Sequence, residues 1–289
     1  MDKTLKDSID NFTNTKPINM KSILFPTDFS PSSQNAFKYA CLLARDIGAR
    51  IDVITVFHLP ASDVADLPAD YYPRLIEEQE EVLENKLKAF TQNVDCEDVL
   101  GRYDVAYGMF VPQEITSFAK MRDYELIVMG TKGSHNIMEK LMGSITTHTM
   151  MQAPCPVLAV PDGAIYEKVE KIAYATDFSL NDAHSVKMLI GIAKEIGAET
   201  YFVHVETHAE LGRVGDMIEI ENYPFEFSEF SVVNHKSVML GLDNYMEEKG
   251  IDWLSLFLPR RRLWERLFHS SFTRKMTFHT NKPVLVFHE

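Results

Sequence analysis

Apolar residues fall in short bursts that alternate between two spacings along this chain. Residues 22–25 are a brief apolar run ending at Pro26, as a buried strand would be. Ser30-Pro31 then sets a cap residue before a proline at the first helical position. Ala36, Ala40, Leu43, Ala44 and Ile47 recur at helical spacing until Gly48 stops the helix. Residues 51–57 are β-branched and strand-like, and 60–73 read as a loop. Residues 72–90 place Leu75, Ile76, Val82, Leu83 and Leu87 among Glu77, Glu78, Glu80, Glu81 and Glu84, a helix with an acidic solvated face. Tyr103, Val105 and Tyr107 alternate like a strand. A helix at 114–122, a strand at 126–129, a helix at 144–151 and a strand at 157–160 complete this half.

The later half follows the same alternation. Strands are predicted at 172–175, 200–205, 225–233, 253–258 and 284–287, and helices at 237–249 and 271–278. Ser179-x-x-Asp182 resembles a capping box opening a further helix. Residues 206–223 stand where the first half has its acidic helix. Alternating β and α elements imply a parallel sheet covered on both faces, and right-handed crossovers make it an open, doubly wound sheet.

The two halves are copies. Thr27-Asp28-Phe29-Ser30 returns 149 residues later as Thr176-Asp177-Phe178-Ser179. The same offset carries Ile47-Gly48-Ala49 onto Ile196-Gly197-Ala198 and Val56 onto Val205. Near the ends, Pro156-Val157-Leu158 returns as Pro283-Val284-Leu285, 127 residues later, so the second copy is 22 residues shorter in its middle. The boundary falls near Pro161-Asp162-Gly163, a turn-forming cluster. This gives an arm at residues 1–19, a first domain at 20–162 and a second at 163–289. The arm is polar with scattered charges, unlike a signal peptide.

Length agrees with two domains, since 289 residues exceed the ~150 of a typical domain nearly twofold. Hydrophobic residues are 45% and the net charge is −13. An acidic field of that size repels nucleic acid and anionic membranes at long range, yet leaves room for a local anion site made of backbone amides. No apolar run reaches the ~18 residues that span a bilayer. Cys41, Cys96 and Cys155 form no CxxC pair and leave an odd thiol, which argues against a disulfide framework and for a reducing, cytoplasmic compartment. Cys155, between Pro154 and Pro156, reads as a buried spacer.

The chemistry concentrates after the strand at 126–129. Gly130-Thr131-Lys132-Gly133 is followed by nine residues and then Gly143-Ser144-Ile145-Thr146, which opens a helix: G-x2-G-x9-G-S. Glycine lacks Cβ, so backbone N–H groups can close on an anion. Gly130 ends a strand, where ligands of open α/β sheets bind, and the free amides and positive dipole end of the helix after Gly143 suit phosphate. Ser144 and Thr146 add hydroxyl donors, and Lys132 reaches either phosphate or water. The plain alternative is two glycine turns in a loop; the full spacing between strand and helix favours a phosphate cradle. Asp28, at the carboxyl end of the first strand, either accepts from an exocyclic amine or caps the helix near Pro31.

On these residues the chain resembles a tandem universal stress protein. That family's nucleotide-binding members carry G-x2-G-x9-G-(S/T), matched by Gly130, Gly133, Gly143 and Ser144, and Pro-Thr-Asp after the first strand, matched by Pro26, Thr27 and Asp28. The resemblance spans roughly residues 20–289. It implies two flavodoxin-like domains of strand order 3-2-1-4-5, with pairing through the last strand. It further implies ATP, with or without Mg²⁺, contacted by Pro26, Thr27, Asp28, Val56, Met129, Gly130, Lys132, Gly133, Gly143, Ser144, Ile145 and Thr146. The family often has His before the second-strand valine; here Thr55 precedes Val56, whereas His204 precedes Val205.

The second copy departs from the pattern. At the 127-residue offset, Phe257-Leu258-Pro259-Arg260 replaces Gly130–Gly133, and Ser270-Ser271 replaces Gly143-Ser144. Bulky side chains fill the phosphate space and proline removes a donor, so no ATP site is expected there. Arg260, Arg261, Arg262, Arg266, Arg274 and Lys275 form a basic cluster, read as a solvated face with internal ion pairs ahead of an anion or partner site. Trp264 and Phe268 read as packing. Among the histidines, His204-x3-His208 comes nearest in form to a metal-ligand pair, but it straddles a strand end where the helical argument fails, so no metal site is expected.

The expectation is therefore an ATP-binding stress-response module, with its two domains paired within the chain and a homodimer as a further assembly. No catalytic residue is assigned. Its rivals are a slow ATPase or phosphotransferase and a ligand-free scaffold or partner-binding protein. Against an enzyme, no Walker A G-x4-G-K-(S/T) occurs and no positioned base accompanies the glycine loop. No G-x-G-x-x-G follows the first strand, which disfavours a dehydrogenase, and Asp28 lacks the acidic partner of a phospho-receiver.

Overall fold

The computed structural model describes residues 20–60, 68–131, 144–176, 183–207, 227–258 and 282–288. The expected capping box at 179–182, the helix at 271–278 and the basic cluster at 260–275 lie outside these residues. The first half runs β1 (Ser22–Pro26), α1 (Pro31–Ile47), β2 (Arg50–Phe57), α2 (Tyr72–Gln92), β3 (Leu100–Tyr107), α3 (Val111–Met121), β4 (Leu126–Gly130), α4 (Ser144–Gln152) and β5 (Val157–Val160). The second half runs β6 (Lys171–Ala175), α5 (Ala183–Ile196), β7 (Glu199–Glu206), β8 (Glu229–Asn234), α6 (Val238–Lys249), β9 (Trp253–Leu258) and β10 (Val284–His288).

Local chemistry sets the ends of these elements. Ser30 caps α1 by accepting from the Ser33 amide, and Gly48 ends it in the left-handed region at φ 68°. Helix α3 starts at Val111 rather than 114, because Pro112 fits a first turn whose amides have no helical partner anyway. Strand β8 begins at Glu229 rather than 225; Ser228 still donates to Thr200 O, but Phe227 turns into the core against Phe202.

All ten strands join one sheet in the order β3-β2-β1-β4-β5-β10-β9-β6-β7-β8. Each half therefore has the order 3-2-1-4-5. Every pairing is parallel except β5 with β10, which is antiparallel. The repeat offsets reappear as sheet register. Ile23 pairs with Leu126 and Ile172 with Trp253; Ser22 pairs with Arg50 and Lys171 with Glu199. At the junction, Leu158 lies opposite Leu285, its own counterpart in the other half. The contact thus has the self-complementary form of a two-fold interface.

Alternation along the strands builds a core on each face. Ile23, Phe25, Ile51, Val53, Leu126 and Val128 meet α1 and α2 on one side, and this core continues through Leu158 and Leu285 to Trp253, Phe202 and α5. Leu24, Ile54, Ile127 and Met129 meet α3 and α4 on the other, continuing through Val157 and Val286 to α6. Hydrogen bonds also cross between halves. Met20 N donates to both carboxylate oxygens of Glu195 on α5, at 3.0 and 2.8 Å. Tyr166 Oη donates to Asp46 at 2.8 Å. The buried Trp253 Nε1 donates to Tyr39 Oη at 2.7 Å.

The Trp253–Tyr39 bond is the most deeply placed of these. Tyr39→Phe strands the indole N–H away from water, and we expect a loss of about 1–3 kcal/mol in denaturant unfolding. The double variant Tyr39→Phe/Trp253→Phe should cost less than the sum of the two single changes, because it removes both partners.

Candidate functional site

Strand β1 lies between β2 and β4, so the chain leaves the sheet on opposite sides at their carboxyl ends and a crevice opens there. The crevice has a volume of about 180 Å³. Of the expected site residues, Pro26, Thr27, Asp28, Val56, Met129, Gly130, Ile145 and Thr146 line it. Lys132, Gly133 and Gly143 lie outside the described residues, and Ser144 is the first residue of α4. Ser30, Ser32, Ser33, Ile54, Val111 and Ile115 also line the crevice and were not anticipated. Ile54 shares a strand face with Val56, a period-two signal that could have found it. Val111 and Ile115 stand one turn apart on α3, and starting that helix at 114 hid the pair.

The turn from β1 into α1 is held by its own side chains. Phe29 adopts φ 63°, a left-handed conformation that bulky residues seldom take. Its ring is fixed edge-on to Phe90, with Lys86 Nζ 4.2 Å above it. The kink leaves Asp28 exposed at the crevice, where Oδ1 accepts from Ser30 N at 3.0 Å. Ser30, not Asp28, is the helix cap. Thr27 is buried and braced: Oγ1 bonds Ser33 Oγ at 2.8 Å and accepts from Phe29 N at 3.0 Å.

Thr55 Oγ1 donates to Thr27 O at 3.0 Å. In the other half His204 Nδ1 lies 2.8 Å from Thr176 O. These are equivalent positions at the 149-residue offset, so hydroxyl and imidazole serve the same carbonyl. For His204 this requires the Nδ1–H tautomer. The substitution at Thr55 therefore leaves the local bond intact.

Gly130 ends β4 where α1 begins. A Cβ there would stand 3.1 Å from Ser32 O and 3.3 Å from the Ala36 methyl, so glycine lets the strand end and the helix start approach this closely without displacing either. Its role here is close approach rather than positive φ. Ser32 Oγ donates to Thr131 O, tying the departing segment to α1. Thr146 Oγ1 donates to Gly130 O at 3.2 Å and is buried, so its proton closes the loop's two ends on each other.

The walls divide chemically. Ile54, Val56, Val111, Ile115 and Met129 make an apolar side. Opposite them lie the first turns of α1 and α4, and neither first turn carries an acidic residue. Both helices point their positive dipole ends at the same space. An apolar slot beside two acid-free helix starts, with one exposed carboxylate, fits a flat heteroaromatic group joined to an anion.

The universal stress protein family model matches residues 19–161. The universal stress protein MJ0531 of Methanocaldococcus jannaschii is 33% identical over 142 residues, covering 48% of this chain and 81% of that protein. MJ0577 of the same organism is 29% identical over 153 residues, covering 48% and 94%. The crystal structure of a universal stress protein from Archaeoglobus fulgidus covers 93% of this chain and 98% of its own at a TM-score of 0.71, with 19% identity, so the fold likeness extends through both halves. This chain belongs to the universal stress protein family.

The bond shared by Thr55 and His204 gives a direct check. Thr55→Val deprives a buried carbonyl of its donor and should cost about 1 kcal/mol in chemical denaturation, whereas Thr55→Ser should retain most of the stability.

Proposed function

We propose that this chain is a regulatory protein that binds ATP in its first half. The carrying observation is the crevice at the ends of β1 and β4, with its apolar wall, its exposed Asp28 and two acid-free helix starts. In this reading the base lies against Ile54, Val56, Ile115 and Met129, and Asp28 accepts from its exocyclic amine. Amides from Gly130 through Ser144 hold the phosphates, with Lys132 as counter-charge and Gly133 and Gly143 admitting the backbone. The G-x2-G-x9-G-S spacing supports this assignment, because in sequence it runs from a strand end at Gly130 to the glycine that precedes a helix start. When Mg²⁺ accompanies the nucleotide it neutralises phosphate charge.

The second half serves as a structural or partner-binding domain. It carries Phe257 and Leu258 at the end of β9 where the first half has Gly130 and Thr131, and these side chains pack on the cores of the two faces. Its β10 takes the free edge of β5, so the two domains complete one sheet within the chain. Binding favours the conformer that holds the ligand, and the linked change in shape is the output.

Calorimetric titration should find one ATP site per chain. Gly133→Asp places a carboxylate among the phosphates and removes about two charge-assisted hydrogen bonds, weakening binding by ~100-fold or more. Unchanged affinity in that variant would remove the site assignment. Steady phosphate release over many turnovers, lost in the same variant, would make the protein an ATPase instead.

A further inference from the structure

The connection from β3 to α3 carries Met109 and Phe110, which are 72% and 69% exposed. Val111, the next residue, lines the crevice, and Ile115 follows one turn later on the same helix. The apolar wall of the crevice therefore continues along the chain into an exposed aromatic residue. The second half shows what this position does otherwise. The 127-residue offset that relates β4 to β9 also relates α3 to α6, so Phe110 corresponds to Ser237 and Met109 to Lys236. Ser237 is the N-cap of α6 and accepts from the Leu240 amide at 3.5 Å. Phe110 is the N-cap of α3 and makes no side-chain cap bond. It belongs to neither core. One half thus ends its loop with a polar cap, and the other with a ring that serves neither the helix nor the core. Adjacent exposed apolar residues at the edge of a groove mark a binding surface.

The crevice is small for the ligand it is read to hold. The described residues enclose about 180 Å³, whereas sites that bury a drug-sized ligand run from about 300 Å³ upward. Part of a nucleotide seated against Ile54, Val56, Ile115 and Met129 therefore stays outside the crevice. A base has a flat π face, and an aromatic side chain covers such a face whatever the base. The thioether of Met109 adds a polarizable contact of adaptable shape. An exposed ring exchanges rotamers within nanoseconds, so Phe110 can settle on a ligand without any change in the backbone.

We propose that Phe110, with Met109 beside it, forms the outer wall of the nucleotide site and covers the part of the bound base that the crevice leaves in water. The inference rests on the reading of the crevice as an ATP site. It makes the β3–α3 connection a determinant of affinity for the base, separate from the glycine segment assigned to the phosphates. It also accounts for the divergence of the two halves at this position, since a half without a nucleotide has no use for the ring and keeps the cap.

ATP titrations of the full chain compare the wild type with Phe110→Ser, Phe110→Trp and Met121→Ser. Phe110→Ser installs the cap residue of the second half, so its melting temperature should hold or rise by roughly 2 °C while its ATP affinity falls about 10-fold. Phe110→Trp keeps a stacking face and should bind within about threefold of the wild type, with a change in indole fluorescence on saturation. Met121, at the far end of α3, is 72% exposed, and its serine variant should bind as the wild type does. Wild-type affinity in Phe110→Ser would overturn the proposal and leave the ATP reading standing. A melting temperature lowered by several degrees in that variant would overturn it too, because the ring would then be holding the fold. Equal losses in Phe110→Ser and Phe110→Trp, or in Phe110→Ser and Met121→Ser, would exclude stacking at this position. A wild-type chain that binds no ATP would overturn both the proposal and the reading beneath it.

Discussion

The arrangement around Gly130 is the constraint on which the crevice depends. Strand β4 ends within contact of the first turn of α1, and the space there is tight, since a Cβ would stand 3.1 Å from Ser32 O and require the neighbouring backbone to give by a few tenths of an ångström. Because β1 lies between β2 and β4, chain segments depart to opposite faces on either side of it, and the gap between them is the crevice. Three bonds then fix its rim. Ser32 reaches Thr131 O, Thr146 reaches Gly130 O, and Thr55 reaches Thr27 O. Polar side chains are thus used to hold main chain in place, and they leave the helix starts directed at the open space.

The pairing of β5 with β10 is what joins ten strands into one sheet among the described residues. A five-stranded 3-2-1-4-5 sheet leaves its last strand with an unpaired edge, and edges invite pairing. Here β5 and β10 pair with each other, with Leu158 against Leu285. The junction is extended by the cores on both faces and by the Trp253–Tyr39 hydrogen bond. The two halves have diverged around this shared frame. The carbonyl of the threonine after the first strand keeps a donor in each, a hydroxyl from Thr55 in one and an imidazole from His204 in the other. The strand end that carries glycine in one half carries Phe257 in the other.

Much of this was legible in the sequence, for identifiable reasons. Period-two and helical spacing are strong where an element buries one face or both, so β1, α1, β4 and β5 were placed within a residue or two. The repeat located equivalent residues, and its two offsets reappear as register pairs. The misses came where tertiary contacts override local pattern. Val111 and Pro112 extend α3 because a proline is tolerated in a first turn, and Phe227 leaves the strand pattern to fill the core. The bond from Thr146 Oγ1 to Gly130 O was not visible in the sequence, because it depends on how the fold brings the start of α4 to the end of β4.

The measurement that bears most directly on the proposed function is a crystal structure of the full chain grown with ATP and Mg²⁺. The account predicts one nucleotide per chain, its base beside Met129 and Val56, Asp28 at the exocyclic amine, and its phosphates between Gly130 and the start of α4. It predicts no nucleotide at the end of β9. A first-half crevice that stays empty at saturating ATP, or a nucleotide bound against Phe257 instead, would contradict it.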